Sequence, residues 1–217
     1  MWAYIKDNKI EQIYQRPKSL VLGEVRYPSN MFTKYTDAEK AAIGIYPVED
    51  SGTKGDDRFE YTSQATYTWS ASDKKVTTSY TITAKSLVDT EAKDESGNNI
   101  LDEKGNKTYN YGLKTQAKNL AKQQANDYIA RFNWLVERSI YDSSKAIPDA
   151  VKTYVAAIKT DCAEIETAID NASDMAAFKA LYEDTYNYNS DGEIISVKEV
   201  ARINRWSDDY DVQQYVR

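Results

Sequence analysis

The chain has 217 residues, with 28 Lys and Arg, 34 Asp and Glu, no histidine and one cysteine, Cys162. The lack of histidine excludes Ser–His–Asp and Cys–His catalysis and imidazole metal sites, and a single cysteine excludes an intramolecular disulfide and a CxxC site. The net charge of −6 argues against binding to nucleic-acid phosphates, and no apolar run is long enough to span a membrane. The 18 tyrosines against four phenylalanines favour thin layers and contact surfaces.

Residues 1–50 are predicted to form a small β-rich module. Alternating side chains from Trp2 to Lys6, a turn at Asp7-Asn8 and a second extended stretch predict a hairpin. One short helix is predicted over residues 36–44. Thr36 is its N-cap, Glu39 completes a capping box, and Gly44 can end it in the left-handed region.

Residues 51–112 are predicted to form an antiparallel β-hairpin region. Alternation over residues 67–71 and 76–84, with a bend at Asp73-Lys74, predicts two strands with one buried face. The pattern Asp-Glu-x-Gly-Asn then occurs twice, starting at Asp94 and Asp102. The repeated acids could hold a cation, but Gly and Asn tolerate positive φ, which favours two consecutive turns on an exposed arm.

Residues 113–185 show a helical period and are predicted to form an α-helical hairpin. One apolar stripe runs from Leu113 to Val136, and this helix is expected to end near residues 140–144. A second stripe follows Pro148 up to Ile169, and Ser173 or Asp174 is expected to cap a short third helix. Residues 186–217 form a C-terminal segment that is extended near 194–197, with a helix or a strand over 200–206. The predicted fold class is therefore α+β.

The sequence gives only weak signals for metal-binding or catalytic residues. The stretch from Asn187 to Gly192 imitates half of a calcium loop, but Lys198 stands where the loop needs its acidic ligand. An acidic cluster close to the C-terminus could coordinate magnesium but is typical of a solvated surface. Cys162 lies on an apolar stripe with no histidine to activate it, which indicates core packing. We therefore predict no catalytic residue, no metal and no cofactor. The acidic cluster consists of Asp208, Asp209 and Asp211.

Aromatic residues near the two ends are the candidate interface residues, because Trp and Tyr are enriched where proteins bind one another. Trp206 is the strongest of these candidates, since it lies beside the acidic tail. Trp134, inside a helical stripe, is predicted to be a core anchor instead. The predicted interface residues are Trp206, Tyr210, Tyr215, Trp2 and Tyr4.

Two parts of the chain carry a family resemblance. Residues 131–138 (RFNWLVER) are followed by Ile147-Pro148 and by Val151, Tyr154 and Ile158, and the lead-in is residues 112–117 (GLKTQA). This arrangement resembles the helical hairpin of tail-assembly and tail-fibre-assembly proteins of tailed bacteriophages. Residues 29–32 (SNMF), the helix at 37–39 (DAE) and residues 44–48 (GIYPV) resemble a second module associated with phage tails.

The resemblance implies a non-enzymatic structural or adaptor protein of a tail, at the fibre or baseplate. Its partners would be other tail, fibre and baseplate proteins, and the same contacts would allow a homo-oligomer. It would be made in the host cytoplasm and end in the virion. One alternative is a tail-fibre assembly chaperone that is absent from the mature virion. Another is a glycan-binding or glycan-cleaving module that uses carboxylates and tryptophan stacking.

Overall fold

The computed structural model describes residues 1–216 and has an α+β fold, as the sequence predicts. The chain divides into two compact units, Met1–Ala84 and Lys85–Arg217. The N-terminal unit contains the main β-sheet, and the C-terminal unit contains the long helices. The boundary between the units lies at residues 84–85, so it coincides with neither of the boundaries placed at residues 50 and 112 from the sequence.

The N-terminal unit is built on a five-stranded sheet with the order β2-β1-β5-β8-β7. Neighbouring strands are antiparallel, except that β5 and β8 run parallel, with Val48 opposite Val76. This parallel pair joins residues from both sides of residue 50 into one sheet. The strands are β1 (Trp2–Lys6), β2 (Lys9–Tyr14), β3 (Leu20–Leu22), β4 (Val25–Tyr27), β5 (Ile45–Glu49), β6 (Glu60–Thr62), β7 (Thr66–Ser70), β8 (Lys75–Ser79) and β9 (Ile82–Ala84), and the helices are α1 (Met31–Lys34) and α2 (Asp37–Ala42).

Strand β1 contributes to two separate apolar clusters, because successive side chains of a strand point to opposite faces of the sheet. Trp2 and Tyr4 pack against the cluster that contains Phe32. Ala3 and Ile5 are buried in the cluster around Val76. The sheet is therefore covered on both faces at β1.

The turn and capping signals of the N-terminal segment are confirmed. Asp7 and Asn8 have φ of 49° and 61° and join β1 to β2. The Thr36 side chain accepts from the Glu39 amide, and the Glu39 carboxylate accepts from the Thr36 amide at 2.8 Å, which completes the capping box. Gly44 follows the helix with φ of 77°.

The predicted hairpin at Asp73-Lys74 is present as β7 and β8, with Trp69 opposite Val76. The predicted face does not continue to residue 84, however. Strand β8 ends at Ser79, and β9 pairs with β6 instead. The alternating pattern continues from one strand into the next, which is why periodicity alone joined them.

The C-terminal unit begins with an arm and continues as a helical bundle. Helices α3 and α5 pack antiparallel, since Lys118 in the first half of α3 pairs with Asp170 near the end of α5. Their core includes Ile158 and Leu135, both fully buried. The elements are β10 (Thr90–Glu91), β11 (Tyr109–Asn110), α3 (Leu113–Ala130), α4 (Asn133–Tyr141), α5 (Asp149–Asn171), α6 (Met175–Ala180), β12 (Thr185–Tyr188) and β13 (Ile194–Glu199).

The predicted first helix is wrong in one respect, because it is two helices. The chain breaks at Arg131 and Phe132, where Phe132 has φ of −109° and ψ of 3°. No Pro or Gly marks this position in the sequence. The break allows the Phe132 ring to pack edge-on against Tyr154, with ring centroids 5.7 Å apart. Tertiary packing, which leaves no local sequence signal, decides where α3 ends.

Residues 201–216 run along the helices and close their core. Val212 is almost fully buried in the helical cluster. The Ser207 amide donates to Asp161 of α5, and Arg131 pairs with Asp209. A 3₁₀ turn at Arg202–Asn204 occupies the stretch that the sequence left open between helix and strand.

Candidate protein contact surfaces

The predicted interface residues of the N-terminus lie inside their own unit. Trp2 is half-buried, and its ring centroid lies 4.7 Å from that of Phe32. Tyr4 is also half-buried and packs in the same cluster. Their role in an interface stays a prediction, but both side chains already serve the fold.

The predicted interface residues of the C-terminus differ from one another. Trp206 is half-buried, with its ring centroid 5.5 Å from that of Tyr128, and Tyr215 packs against the same cluster. The carbonyl of Tyr215 accepts the indole N–H of Trp134 at 2.9 Å, so Trp134 is anchored as predicted. Tyr210 is 78% exposed and is the member of this group that is free to meet a partner.

An exposed arm, residues 85–112, carries the repeated turns. Three short hairpins meet at Ala92, Ile100 and Thr108, which are eight residues apart in the chain. The backbone bonds of these three residues form a closed ring, in which each amide donates to the next carbonyl around the ring at 2.9 Å. All three bonds of the ring join residues of the arm. The ring therefore ties the three hairpins together through backbone bonds within residues 85–112.

The repeated acids at the tips of two of these hairpins act as turn residues, as predicted. The carboxylate of Asp94 accepts from the amides of Ser96 and Asn98, both at 2.9 Å. Asp102 makes the same two contacts to Lys104 and Asn106, both at 2.8 Å. Bonds from these asparagines are the main reason why the pKa of each aspartate is lowered.

The base of the arm is fixed to the beginning of α3. The first N–H groups of a helix have no partner within the helix, and here the arm supplies acceptors for them. Gly112 is required at this point, because a Cβ would lie 2.4 Å from the carbonyl carbon of Val88. The bonds run from Gly112 N to Asp89 Oδ1 (2.8 Å), from Leu113 N to Ser86 O (2.9 Å) and from Lys114 N to Leu87 O (3.1 Å).

The arm exposes large apolar side chains that its own fold does not cover. Isolated apolar residues on a surface are ordinary, but a group of them on one short element indicates a contact surface. We call this group the arm surface. It consists of Val88 (64% exposed), Ile100 (44%), Leu101 (56%), Tyr109 (50%) and Tyr111 (61%).

A second uncovered element is the C-terminal hairpin, residues 185–199, formed by β12 and β13. Both strands are exposed along their whole length. The turn between them is the stretch that imitates half of a calcium loop. Asn189 Oδ1 accepts there from the amides of Asp191 and Glu193 at 3.0 and 2.8 Å, which confirms a turn.

The described residues offer little to the metal and glycan alternatives. Residues 1–216 contain no group of three or more His, Cys, Asp or Glu side chains placed to hold a metal ion. All four tryptophans are half-buried, whereas stacking on a sugar needs an open ring. Seven of the described carboxyl groups have a lowered pKa, whereas the acid of a glycosidase has a raised pKa. These carboxyl groups are Glu39, Asp50, Glu91, Asp94, Asp102, Asp149 and Asp170.

Cys162 lies on α5 as a half-buried side chain that packs against the helical core. Burial raises the pKa of its thiol, and the nearby Glu166 carboxylate raises it further. A thiol of this kind is poorly nucleophilic. The core-packing interpretation of the sequence is confirmed.

Comparison with known proteins adds no relative. No protein-family model, no curated protein and no solved structure matches the chain. No helix within residues 1–216 has the length and apolarity to cross a membrane. The likeness to phage tail proteins therefore stays a prediction from the residues quoted above.

Sequence reasoning located the arm but missed both uncovered surfaces. The repeat at Asp94 and Asp102 predicts the turns, but it does not show which apolar side chains of the arm stay uncovered. The period-two alternation of residues 185–199 was available as a signal. The predicted extended stretch near 194–197 is confirmed as part of β13, but the calcium-like pattern Asn187–Gly192 interrupts the alternation on its partner strand.

Proposed function

We propose that the chain is a non-enzymatic structural or adaptor protein of a tailed-bacteriophage tail, at the fibre or baseplate, and that it acts through protein–protein contacts. The resemblance of residues 112–158 and 29–48 to tail-associated proteins supports the setting. The arm surface supports the mode of action, and it is the single observation that carries the proposal.

The arm surface suits a contact role for a physical reason. A loop that serves only as a connection gains nothing from apolar side chains in water, and polar side chains would keep it more soluble. Here Leu101, Tyr109 and Tyr111 are each at least half exposed on a segment whose backbone is fixed by the ring at Ala92, Ile100 and Thr108. A prearranged surface loses little conformational entropy when it binds.

Quantitative mass spectrometry of purified virions tests the setting. We expect the chain in the particle in fixed proportion to a fibre or baseplate protein. Presence in the infected-cell lysate together with absence from the particle would overturn the structural role and favour the assembly chaperone. Co-purification with a fibre polypeptide before assembly would then be the matching result.

Variants of the arm test the mode of action. Leu101→Ala combined with Tyr111→Ala removes apolar area from the arm surface, so incorporation into particles should fall by about tenfold or more. Val21→Ala is the matched control, since Val21 is 61% exposed on the β3–β4 hairpin, outside the arm. Equal incorporation of the arm variant and the control would contradict a contact role for the arm.

A further inference from the structure

A cavity of about 250 Å³ lies between α5 and the last part of the C-terminal segment. Tyr154 lines the cavity from α5, and Asp208 and Asp211 line it from the C-terminal segment. Ala150 and Ala157 lie one helical turn before and after Tyr154, and their small side chains leave the room for the cavity. We call it the tyrosine cavity.

The hydroxyl of Tyr154 is a polar group for which the fold supplies no partner. Tyr154 is 7% exposed, and its ring packs edge-on against Phe132. Within residues 1–216 the hydroxyl makes no hydrogen bond, yet protein atoms do not fully enclose it, so it opens onto the cavity that Tyr154 lines. Burial and the nearby Asp209 raise the pKa of this hydroxyl, which is therefore uncharged at neutral pH. Buried polar groups are normally hydrogen-bonded, so an unpaired one at a cavity points to a bound group.

The two carboxylates of the tyrosine cavity have no counter-charge. Asp208 accepts from the Tyr210 amide at 3.4 Å, which is a long hydrogen bond. In the part of the chain that the structure describes, neither Asp208 nor Asp211 forms an ion pair, whereas Asp209 between them pairs with Arg131. The cavity therefore combines two negative charges with a neutral hydroxyl and lacks a cation.

We propose that the tyrosine cavity binds a primary alkylammonium group, which is either one end of a free diamine or the lysine side chain of a partner protein. An ammonium group has three N–H donors and no acceptor, which matches two carboxylates and one hydroxyl. Its alkyl chain would pack against Ala150, Ala157 and Val212, as a lysine stem packs along an apolar surface. A divalent cation fits less well, because residues 1–216 hold no group of three His, Cys, Asp or Glu side chains placed for a metal ion.

An NMR titration of the full chain with putrescine, a butane chain with an amine at each end, tests the proposal. The amide signals of residues 207–212 are followed at neutral pH and constant ionic strength. We expect saturable shifts with a Kd of roughly 0.1–10 mM, as is usual for so small a ligand. Butanediol with a hydroxyl at each end has the same chain without the charges, and it should cause no saturable shift.

Two variants each remove one part of the site. Tyr154→Phe deletes only the hydroxyl and Asp211→Asn deletes one charge, so each should weaken putrescine binding by about fivefold or more. Glu24→Gln is the matched control, because it makes the same change of net charge at an exposed position of the other unit. It should leave the Kd within about twofold. A circular dichroism spectrum identical to that of the parent chain shows that a variant is folded, and Asp211→Asn, at an exposed position, keeps the test valid if Tyr154→Phe does not fold.

Butylamine distinguishes the two sources, because it carries one ammonium group on the same alkyl chain as lysine. Putrescine that binds less than about tenfold more tightly than butylamine assigns the site to a lysine side chain, and a larger ratio assigns it to a free diamine. The proposal is overturned if neither amine gives a saturable shift up to about 50 mM. It is also overturned if Glu24→Gln weakens binding as much as Asp211→Asn does. These measurements need no phage component, so their failure is distinct from failure of the tail proposal.

Discussion

Two β-hairpins of this protein have the same local pattern but opposite surroundings. In the hairpin of β7 and β8, Val76 is fully buried and Trp69 packs on Tyr46, with ring centroids 4.5 Å apart. In the C-terminal hairpin, Val197 occupies the equivalent kind of position and is half exposed. Local alternation produces a hairpin in both places. Only the parallel pairing of β8 with β5 makes the first hairpin part of a covered sheet.

The comparison shows what an uncovered face means. A hairpin inside a sheet receives its apolar cover from its own chain, and its sequence is explained by folding alone. The C-terminal hairpin keeps the same amphipathic sequence without that cover. Contacts within the described residues therefore do not account for its alternation.

The largest expected effect comes from placing a charge in each hairpin. Val76→Asp buries an unpaired carboxylate, so it should lower the free energy of unfolding by at least about 4 kcal/mol. Val197→Asp leaves its carboxylate in water and should change the free energy of unfolding by less than about 0.5 kcal/mol. Urea denaturation followed by circular dichroism measures both. Similar losses in the two variants would erase the distinction between covered and uncovered hairpins.

An intermediate effect is expected for the aromatic residues of the C-terminal segment. Trp206 packs on Tyr128, so Trp206→Ala should cost about 2–3 kcal/mol, somewhat less than for a fully buried ring. The interface role that the sequence predicts for Trp206 stays a prediction. Tyr210→Ala, at a position that is 78% exposed, should change stability by less than about 0.5 kcal/mol. Thermal melts of the two variants should differ clearly, and equal melting temperatures would show that Trp206 is not part of the core.

The smallest effect concerns the turns of the arm, which have no cover at all. Hydrogen bonds lower the pKa of Asp94 and Asp102 below the ordinary value of 3.8. Because the folded-state pKa is depressed, the turns are stabilised by the full amount above about pH 4, and this stabilisation is lost as the pH falls through the lower folded value. The amide proton shifts of Asn98 and Asn106 should move together in that acid range when followed by NMR. Movement centred above pH 3.8 would contradict the bonded carboxylates.

Predictions from sequence succeeded where neighbouring residues determine the structure. Thr36 with Glu39, Asp7 with Asn8, and Asp174 as the N-cap of α6 each form contacts within a few residues, and these appear as predicted. A cap or a turn is defined by side-chain chemistry and local backbone geometry. Such signals are complete within a short stretch of sequence.

The errors have the opposite cause. The parallel pair of β5 and β8, the break before Asn133 and the burial of Val212 all depend on residues far apart in the chain. An apolar pattern states that a side chain needs cover but not which segment provides it. The same limit applies to Trp206 and Trp2, because the sequence does not identify Tyr128 and Phe32 as their intrachain neighbours.

The junction between the arm and α3 has a mechanical consequence. The amides of Gly112, Leu113 and Lys114 are held by the carboxylate and carbonyl oxygens of residues 86–89, so no slack linker separates the arm from the helix. A tensile load on the arm would act directly on these three bonds and would unwind the first turn of α3 before it reached the helical core. The arm and the helix would therefore bear force as one element, joined through the amides of Gly112, Leu113 and Lys114.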